Sequence, residues 1–318
     1  MTTERSRPRR VVYWNGNFIP ETEARVSIFD SALMFGDMVF DLARTFNGVP
    51  FRLREHLERL FASLAYARFE CGLSIDQLEE ATHATIAKNE EALSGLDFQI
   101  MHELSRGGLP VYDSLVKERT APLVIITTVP IIRQVGRLAS AYREGNHCVV
   151  TRQQSIPARY LDPKVKNRSR LFYKIAELQA ADLDPAAMPL LTDEHGFLTE
   201  SLGANIFAVR DGVILTPKPH DILRGVSRQA CMDLAEELGL AVVEADLSPY
   251  DLRGADEAWL TSTPFCMLPI TRFEFSPVAD GKPGPLYQRL LDAWSRQVGV
   301  DIEKQAADYA ELERNWTP

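Results

Sequence analysis

Two Asn-Gly dipeptides, each preceded by residues that favour strands, constrain the fold of this chain more than any other feature. In residues 11–19, β-rich runs flank Asn15-Gly16, and the apolar run from Met38 to Phe46 precedes Asn47-Gly48 in the same way. Asn-Gly is the dipeptide best suited to the type I′ turn that joins the two strands of a hairpin. The start of the chain is therefore predicted to be sheet.

At Leu53 the hydrophobic period changes from that of a strand to that of a helix. The apolar residues that recur at helical spacing are Leu53, Leu57, Leu60, Phe61 and Leu64. Such a stripe is typical of an amphipathic helix. A polar helical stretch covers residues 74–94, and strand-like runs follow at 97–104 and 122–128. These patterns together predict an α+β unit.

The segment from Pro130 to Gly145 has no clean period and is predicted to connect two domains. A chain of 318 residues is about twice the typical domain length, which favours two domains. We expect a small α+β domain over residues 1–130, an interdomain loop over 131–145 and a large domain over 146–318. The elements predicted in the large domain are a strand at 147–152, a helix from about Arg170 with the stripe Leu171, Ile175 and Leu178, a helix over 226–238, strands near 241–245 and 257–262, and a helix around 284–297.

Charge and hydropathy limit the kinds of partner that the chain can have. Lysine and arginine number 35 against 44 aspartates and glutamates, a net charge of −9. This balance does not favour nucleic acid or an anionic membrane. The longest apolar stretch, Leu123 to Ile132, is interrupted by polar residues and proline and is too short to span a bilayer. The predicted partner is a small molecule, with neither nucleic acid nor membrane.

Cysteine and histidine usage predicts a reducing compartment and no metal. The four cysteines are widely spaced and form no C-x-x-C pair, and residues 1–10 are polar and basic. Neither feature indicates a disulfide framework or a secretory signal, so a cytoplasmic location is expected. The six histidines show no metal-ligand spacing.

Lys166 is a candidate nucleophile in the stretch DPKVKNRSR, just before a predicted helix. A partly desolvated lysine amine can be neutral and attack a carbonyl to form a Schiff base. Taken alone, a lysine in a basic run is more typical of a solvated surface charge. The case for chemistry at Lys166 therefore depends on residues elsewhere.

A stretch downstream of Lys166 carries residues that could bind a phosphate. These residues are Glu200, Asn205, Phe207, Thr216 and the run from Leu223 to Arg228. Exposed amides at a helix start behind Gly225 would bind a phosphate, and the Ser227 hydroxyl would add a donor. Spacing alone is more typical of an exposed strand residue at Glu200, a strand edge at Asn205 and an ordinary helix entrance.

The order of these residues resembles the signature of the class IV aminotransferases. This pyridoxal-phosphate family includes branched-chain, D-amino acid and (R)-amine transaminases and aminodeoxychorismate lyase. The resemblance covers nearly the whole chain, from Trp14-Asn15-Gly16 through His56-Leu57-Glu58-Arg59-Leu60 to Thr261-Ser262-Thr263. Leu202 departs from the pattern, because the family usually has a small residue there.

The resemblance implies an α+β fold, with a small α/β sandwich domain followed by a larger domain that has a barrel-like β-sheet and flanking helices. It implies pyridoxal 5′-phosphate as cofactor, an amino donor and a 2-oxo acid as substrates, and a homodimer. The leading function is amino transfer in two half-reactions. The alternatives are a lyase that expels a β-substituent from aminodeoxychorismate and a protein that retains only the ability to bind the cofactor.

The resemblance also assigns roles to individual residues. Lys166 would hold the cofactor and move the proton at substrate Cα, while Glu200 would pair with the pyridine nitrogen and keep the ring protonated. The residues expected at the phosphate and ring are Arg59, Leu223, Val226, Ser227, Ser262 and Thr263. Branched-chain enzymes have a tyrosine five residues after the lysine, where this chain has Leu171, so Tyr160 or Arg170 would substitute.

Substrate choice is indicated by three segments that point in different directions. Phe40 and Arg44 lie in a segment that parallels the branched-chain enzymes, although Asp41 replaces their glutamate. The Pro-Arg-x-His carboxylate trap of D-alanine transaminases is absent after Ser105-Arg106-Gly107. Residues 162–167 look most like the (R)-amine transaminases. A D-amino acid or (R)-amine donor is therefore favoured, with a branched-chain L-amino acid as the alternative.

Overall fold

The computed structural model describes residues 9–93, 95–112 and 122–315. The chain divides into two compact units. The first comprises residues up to Ile131 together with Lys166–Ser169, and the second comprises Ile132–Val165 and the residues from Arg170 onward. Most of the polar segment 1–10 lies outside the described residues. The domain bounds expected at 130 and 146 stay a prediction.

The first unit is a six-stranded sheet with helices packed on it. Its elements are β1 (Val11–Trp14), β2 (Asn17–Pro20), α1 (Ser31–Phe35), β3 (Met38–Phe46), β4 (Val49–Pro50), α2 (Leu53–Ala67), α3 (Ile75–Leu93), β5 (Phe98–Ser105) and β6 (Leu123–Pro130), with 3-10 turns at Glu21–Glu23 and Pro110–Tyr112. The strand order is β2-β1-β6-β5-β3-β4, and every pairing is antiparallel. Helix α2 packs on β3, and α3 packs on β1 and β6.

The two predicted hairpins are confirmed, and the backbone shows why each needs its Asn-Gly pair. Asn15 and Gly16 have φ values of 46° and 87°, and Asn47 and Gly48 have φ values of 51° and 76°. Positive φ at both central turn positions is the left-handed geometry that asparagine and glycine tolerate best. The stripe on α2 is also buried, since Leu57 and Leu60 are inaccessible to solvent.

The second unit holds the remaining strands and helices. These are α4 (Ile132–Gly136), α5 (Ala141–Glu144), β7 (Asn146–Val150), α6 (Leu171–Ala181), β8 (Met188–Leu190), β9 (Glu200–Ser201), β10 (Ala204–Arg210), β11 (Val213–Pro217), α7 (Val226–Glu237), β12 (Val242–Ala245), α8 (Pro249–Arg253), β13 (Glu257–Ser262), β14 (Cys266–Phe273), β15 (Ser276–Pro277), α9 (Pro285–Val298) and α10 (Ile302–Asn315). The main strand order is β12-β11-β10-β13-β14-β7-β8, with β9 beside β10 and β15 beside β14.

The barrel-like sheet expected from the resemblance is not formed. Among the described residues the strand path is open, with β12 and β8 at its ends. The gap between β8 and β9 is bridged only locally, where Leu191 N donates to Glu200 O at 3.0 Å and Thr199 N donates to Leu191 O at 2.9 Å. A strand of two residues such as β9 is too short to extend this contact into a closed ladder.

Two further expectations are corrected in the second unit. Residues 131–145 are not a simple loop, because they contain α4 and α5, and a Cβ at Gly136 would lie 2.9 Å from the backbone of α10. The absent side chain lets α4 approach α10 closely. The stripe on α6 is exposed rather than buried: Leu171, Ile175 and Leu178 are 74%, 38% and 55% exposed. No helix among the described residues is long and apolar enough to cross a membrane.

Candidate active site

The first unit holds Lys166 on the outer edge of β3. Phe40 N donates to Lys166 O at 3.0 Å, and Arg168 N donates to Met38 O at 2.9 Å. Val39 and Asn167 form an antiparallel bridge between these two bonds. Lys166 therefore lies in a loop segment whose backbone is hydrogen-bonded to the edge of β3.

Ser63 fixes the other side of the Lys166 backbone. Lys166 N donates to Ser63 Oγ at 3.2 Å, and Ser63 Oγ donates to Arg59 O at 3.0 Å. The Lys166 Nζ lies 5.0 Å from the centroid of the Phe40 ring, within the range of a cation–π contact. Backbone and amine are thus both positioned by β3 and α2. Sequence reasoning missed Ser63, although it lies one helical turn after Arg59.

Arg59 forms a buried ion pair with Asp41. Its Nε donates to Asp41 Oδ2 at 2.9 Å, and its Nη2 donates to Oδ1 at 2.8 Å. His56 Nδ1 lies 2.7 Å from the same Oδ1. The Arg59 side chain is 11% exposed, and that of Asp41 is inaccessible. The pair is a bidentate fork, the geometry in which arginine binds carboxylates most strongly.

Burial, neighbouring charges and hydrogen bonds together determine the ionisation of Asp41 and His56. Burial would raise the pKa of Asp41, but the Arg59 charge and the hydrogen bonds from His56 and Arg59 outweigh burial and hold the pKa well below its usual range. Burial lowers the pKa of His56 in spite of its bond to Asp41. Asp41 is therefore ionised and His56 neutral at pH 7. The sequence noted Asp41 only as a replacement for glutamate.

The two expected substrate residues have different surroundings. Phe40 lies beside Lys166 Nζ, as described above. Arg44 is 1% exposed, its Nε donates to Thr45 O at 3.2 Å, and its guanidinium lies 4.0 Å from the centroid of the Phe46 ring. This burial does not favour contact between Arg44 and a substrate carboxylate.

The second unit holds Glu200 on β9, with its carboxylate fixed by two donors. Tyr173 on α6 donates its hydroxyl to Glu200 Oε1, and Leu223 N donates to Oε2 at 3.0 Å. Glu200 is 6% exposed. Burial and the negative charge of Glu200 raise the pKa of Tyr173 well above its ordinary value. The hydroxyl therefore stays protonated and remains a donor over the physiological range.

Tyr173 is a residue that the sequence did not single out. Tyr160 is 71% exposed with Arg159 over its ring, whereas the Arg170 guanidinium lies 4.8 Å from the centroid of the Tyr173 ring. The available signal was an aromatic residue on the helix that follows Lys166. That signal says nothing about a partner 27 residues away.

The loop before α7 passes close to the side chain of Asn205. Asn205 Nδ2 donates to Leu223 O at 3.0 Å, and a Cβ at Gly225 would lie 2.1 Å from Asn205 Oδ1. Helix α7 then begins at Val226 without a side-chain hydrogen bond to its cap. The amides of its first turn, including that of Ser227, have the character of an anion site.

The remaining expected residues lie at the end of β13. Ser262 Oγ donates to Gly203 O at 2.7 Å, and Thr263 occupies the turn that follows. Thr261 pairs with Asn205, which pairs with Glu200, so all three share one face of the sheet. Among the described residues Thr261 Oγ1 has no hydrogen-bond partner, although Thr261 is 1% exposed.

The donors within the second unit fit an anionic ring with a basic nitrogen, since they comprise a buried carboxylate, uncapped helix amides and the unpartnered Thr261 hydroxyl. Within the first unit, Lys166 has an amine that can attack a carbonyl, and Arg59 has a guanidinium that can bind an anion. Arg228, in contrast, already donates hydrogen bonds to residues of neighbouring strands, namely Thr216, Pro217 and Glu244. No group of three metal-ligating side chains was found in the part of the chain that the structure describes.

Comparison with known proteins gives a consistent assignment. The model of the class IV amino-transferase family matches residues 38–273. A protein of Methanocaldococcus jannaschii named "Putative branched-chain-amino-acid aminotransferase" is 31% identical over 286 residues, covering 88% of this chain and 94% of the relative. The D-alanine aminotransferase of Listeria monocytogenes serotype 1/2a is 30% identical over 277 residues, covering 87% and 92%.

Solved structures agree with the sequence comparisons. The Escherichia coli branched-chain amino acid aminotransferase superposes with a TM-score of 0.80 at 27% identity, covering 90% of this chain and 94% of that one. A second branched-chain enzyme, complexed with N-(5′-phosphopyridoxyl)-L-glutamate, gives a TM-score of 0.80 at 26% identity, covering 92% and 95%. Enzymes of this family depend on pyridoxal phosphate. As its signature residues predicted, the chain belongs to the class IV aminotransferase family.

Proposed function

We propose that this aminotransferase moves an amino group from a D-amino acid or an (R)-configured amine to a 2-oxo acid. The observation that carries the donor preference is the likeness of residues 162–167 to (R)-amine transaminases. The segment that parallels the branched-chain enzymes gives less support to a branched-chain donor, because its Arg44 and Asp41 side chains are buried and form hydrogen bonds within the first unit. A branched-chain L-amino acid is the alternative donor, supported by the Methanocaldococcus jannaschii relative.

Lys166 and Glu200 are proposed to carry the chemistry. When bound, pyridoxal phosphate supplies an electron-withdrawing ring that stabilises negative charge at substrate Cα. Lys166 Nζ would bond to the cofactor and then move the proton at Cα, and the hydrogen bonds on both sides of its backbone favour a fixed position. Glu200 would accept a hydrogen bond from the ring nitrogen with a carboxylate already oriented by Tyr173 and Leu223.

The residues proposed to bind the phosphate and the ring face are those that the resemblance assigned. Arg59, the amides of Val226 and Ser227, and the hydroxyl of Thr263 would hold the phosphate, because arginine and helix-start amides suit a dianion. Ser262 is a weaker candidate, since its hydroxyl already donates to Gly203 O. Leu223, which is 8% exposed, would pack on one face of the ring.

A donor screen tests the proposed substrate class. Holoenzyme is incubated with both enantiomers of alanine, leucine, glutamate and 1-phenylethylamine, and conversion of the cofactor to its amine form is followed by absorbance. Faster conversion by D- or (R)-donors supports the proposal, and faster conversion by L-leucine contradicts it. Release of pyruvate from aminodeoxychorismate, with no conversion by any donor, would assign the lyase reaction instead.

We also propose that the protein is a homodimer. The observation that supports this proposal is the exposed apolar face of α6, formed by Leu171, Ile175 and Leu178. Apolar side chains at this spacing on one helix face are more often covered by another surface than left in water. Light scattering on the holoenzyme tests the proposal, and a fully active monomer would contradict it.

A cytoplasmic location is proposed on the state of the cysteines. All four, Cys71, Cys148, Cys231 and Cys266, are thiols in the structure. Burial raises the pKa of the Cys231 thiol to about 12 and raises that of Cys148 as well. Thiols that stay protonated at neutral pH are inert toward disulfide exchange. Fractionation of source cells, followed by immunodetection in each fraction, is the test.

A further inference from the structure

Arg168 lies beside Lys166 on the same side of the segment that pairs with β3. Alternate residues of an extended segment face the same side, so Lys166 and Arg168 share one face. Both reach the ring of Phe40: the centroid is 5.0 Å from Lys166 Nζ and 3.7 Å from Arg168 Cζ. A second cation is therefore placed next to the amine that acts at substrate Cα.

The β3–β5 ladder fixes the position of the Arg168 guanidinium. Phe40 on β3 is the register partner of Glu103 on β5, so their side chains lie next to each other on one face. Arg168 Nη2 donates to Glu103 Oε1 and approaches Met101 Sδ at 3.6 Å. A stacked ring on one side and an ion pair at one edge leave the guanidinium little freedom to turn.

Arg168 keeps donor capacity after these contacts. Among the described residues, neither Nε nor Nη1 of Arg168 has a hydrogen-bond acceptor, and the side chain is 32% exposed. A guanidinium presents five N–H donors in a planar fork that matches a carboxylate. One edge of the fork is held by the protein while other donors remain for a ligand.

We propose that Arg168 binds the carboxylate of the amino acid donor and of the 2-oxo acid acceptor. This inference rests on the proposed function, in which Lys166 acts at Cα. The carboxylate of an amino acid is bonded directly to Cα, so its binding group must lie close to the acting lysine, and Arg168 meets this requirement through Phe40. Glu103 orients the guanidinium and does not contact the substrate. The site consequently favours donors with a carboxylate over simple amines.

The test compares carboxylates with their neutral amides on the holoenzyme. Propionate and 4-methylvalerate, each paired with its primary amide, compete with substrate in wild type, Arg168→Gln and Arg168→Lys. Loss of a charge-assisted bond predicts that Arg168→Gln weakens the two carboxylates about ten- to a hundredfold and the amides less than about twofold. Arg168→Lys keeps the charge without the fork and should give an intermediate loss.

Arg10→Gln is the matched control. Arg10 is also ion-paired, to Glu21 with Nε–Oε2 at 2.9 Å, and its side chain is 29% exposed, but it precedes β1, near the opposite edge of the same sheet. This variant should leave the inhibition constants of acids and amides unchanged.

Three results would overturn the inference. If acids and amides lose affinity equally in both Arg168 variants, Arg168 has a structural role. A dissociation constant for pyridoxal phosphate raised more than about tenfold, with acids and amides unchanged, would place Arg168 at the cofactor instead. Unchanged inhibition constants throughout would mean that Arg168 does not meet the substrate. If the wild type binds no pyridoxal phosphate, the proposed function itself is contradicted. This result therefore distinguishes failure of the proposed function from failure of the inference about Arg168.

Discussion

Asp41 and Arg59 form a bidentate ion pair inside the first unit, with Nε–Oδ2 at 2.9 Å and Nη2–Oδ1 at 2.8 Å. Without the resemblance, the position of Arg59 at the edge of the apolar stripe predicts a solvated helix charge whose loss would barely affect folding. The structure changes that expectation, because removal of Arg59 leaves the inaccessible Asp41 carboxylate without its counter-charge.

We expect Arg59→Ala to lower the free energy of unfolding by about 3–5 kcal/mol, the usual cost of breaking a buried pair from one side. Urea denaturation of the apo-protein measures it. Adding Asp41→Asn to Arg59→Ala should recover part of the loss, because the stranded charge is removed. Arg54→Ala, on the exposed face of the same helix, should have a much smaller effect. Equal effects of Arg54→Ala and Arg59→Ala would contradict this prediction.

The double variant Arg59→Ala/Asp41→Asn also isolates the proposed phosphate contact from folding. If Arg59 binds the phosphate, loss of a charge-assisted bond should weaken pyridoxal phosphate about ten- to a hundredfold. Thr263→Ala should cost less, since a neutral hydroxyl forms a weaker bond with a dianion. Dialysis against cofactor-free buffer followed by back-titration gives the dissociation constants. If Asp41→Asn alone and the double variant bind equally, Arg59 does not hold the phosphate.

Covalent attachment of the cofactor should occur at Lys166 and nowhere else. The holoenzyme is expected to be yellow, and borohydride should abolish the absorption band by fixing the cofactor to the lysine. Peptide mapping by mass spectrometry locates the adduct. Lys164 and Lys174 are internal controls: Lys164 Nζ is paired with Asp162 at 2.8 Å and Lys174 Nζ with Glu177 at 3.0 Å. An adduct on either would refute the assignment of Lys166.

Tyr173→Phe should slow proton transfer at substrate Cα by about tenfold or more, because Glu200 loses a hydroxyl donor to a charged acceptor. Since the pKa of Tyr173 is raised well above its ordinary value, the wild-type rate should show no alkaline step from this group below about pH 10. Stopped-flow measurements with Cα-deuterated donor follow the step. Tyr160→Phe, at an exposed position, is the control and should behave as wild type.

Acid should destabilise the protein through two buried histidines. Burial lowers the pKa of His102 to about 4, against 6.5 unfolded, and lowers that of His56 as well, although neighbouring Asp41 opposes both shifts. A depressed histidine pKa means that the unfolded state binds the proton first, so stability is lost as pH falls from about 6.5 to about 4. His102 alone should contribute about 3 kcal/mol to this loss.

Denaturation at pH 7 and pH 4.5 checks this dependence. His102→Gln should lose less stability between the two pH values than wild type, since glutamine does not titrate and can still bond to Thr82. His195→Gln, on an exposed turn, should keep the wild-type slope. A wild-type slope in His102→Gln would mean that other groups cause the loss.

Local patterns determined much of the first unit. The Asn-Gly turns require positive φ, and the stripe from Leu53 to Leu64 has helical spacing, so both features are encoded by neighbours in the chain. The open path of the second sheet was not predictable in this way. It depends on whether β8 and β9 pair along a ladder, and short strands give no local signal of their partners.

The sequence by itself determined the family, because Lys166, Glu200 and the run from Leu223 to Arg228 form an ordered signature along the chain, and it predicted these groups for the site. Only the tertiary structure decided what those groups contact. Tyr173 meets Glu200 across 27 residues, and Arg168 meets Glu103 across 65. Such pairs are selected by strand register and helix packing, which bring distant residues together. Periodicity records which face of an element is apolar, but it carries no information about the partner opposite that face.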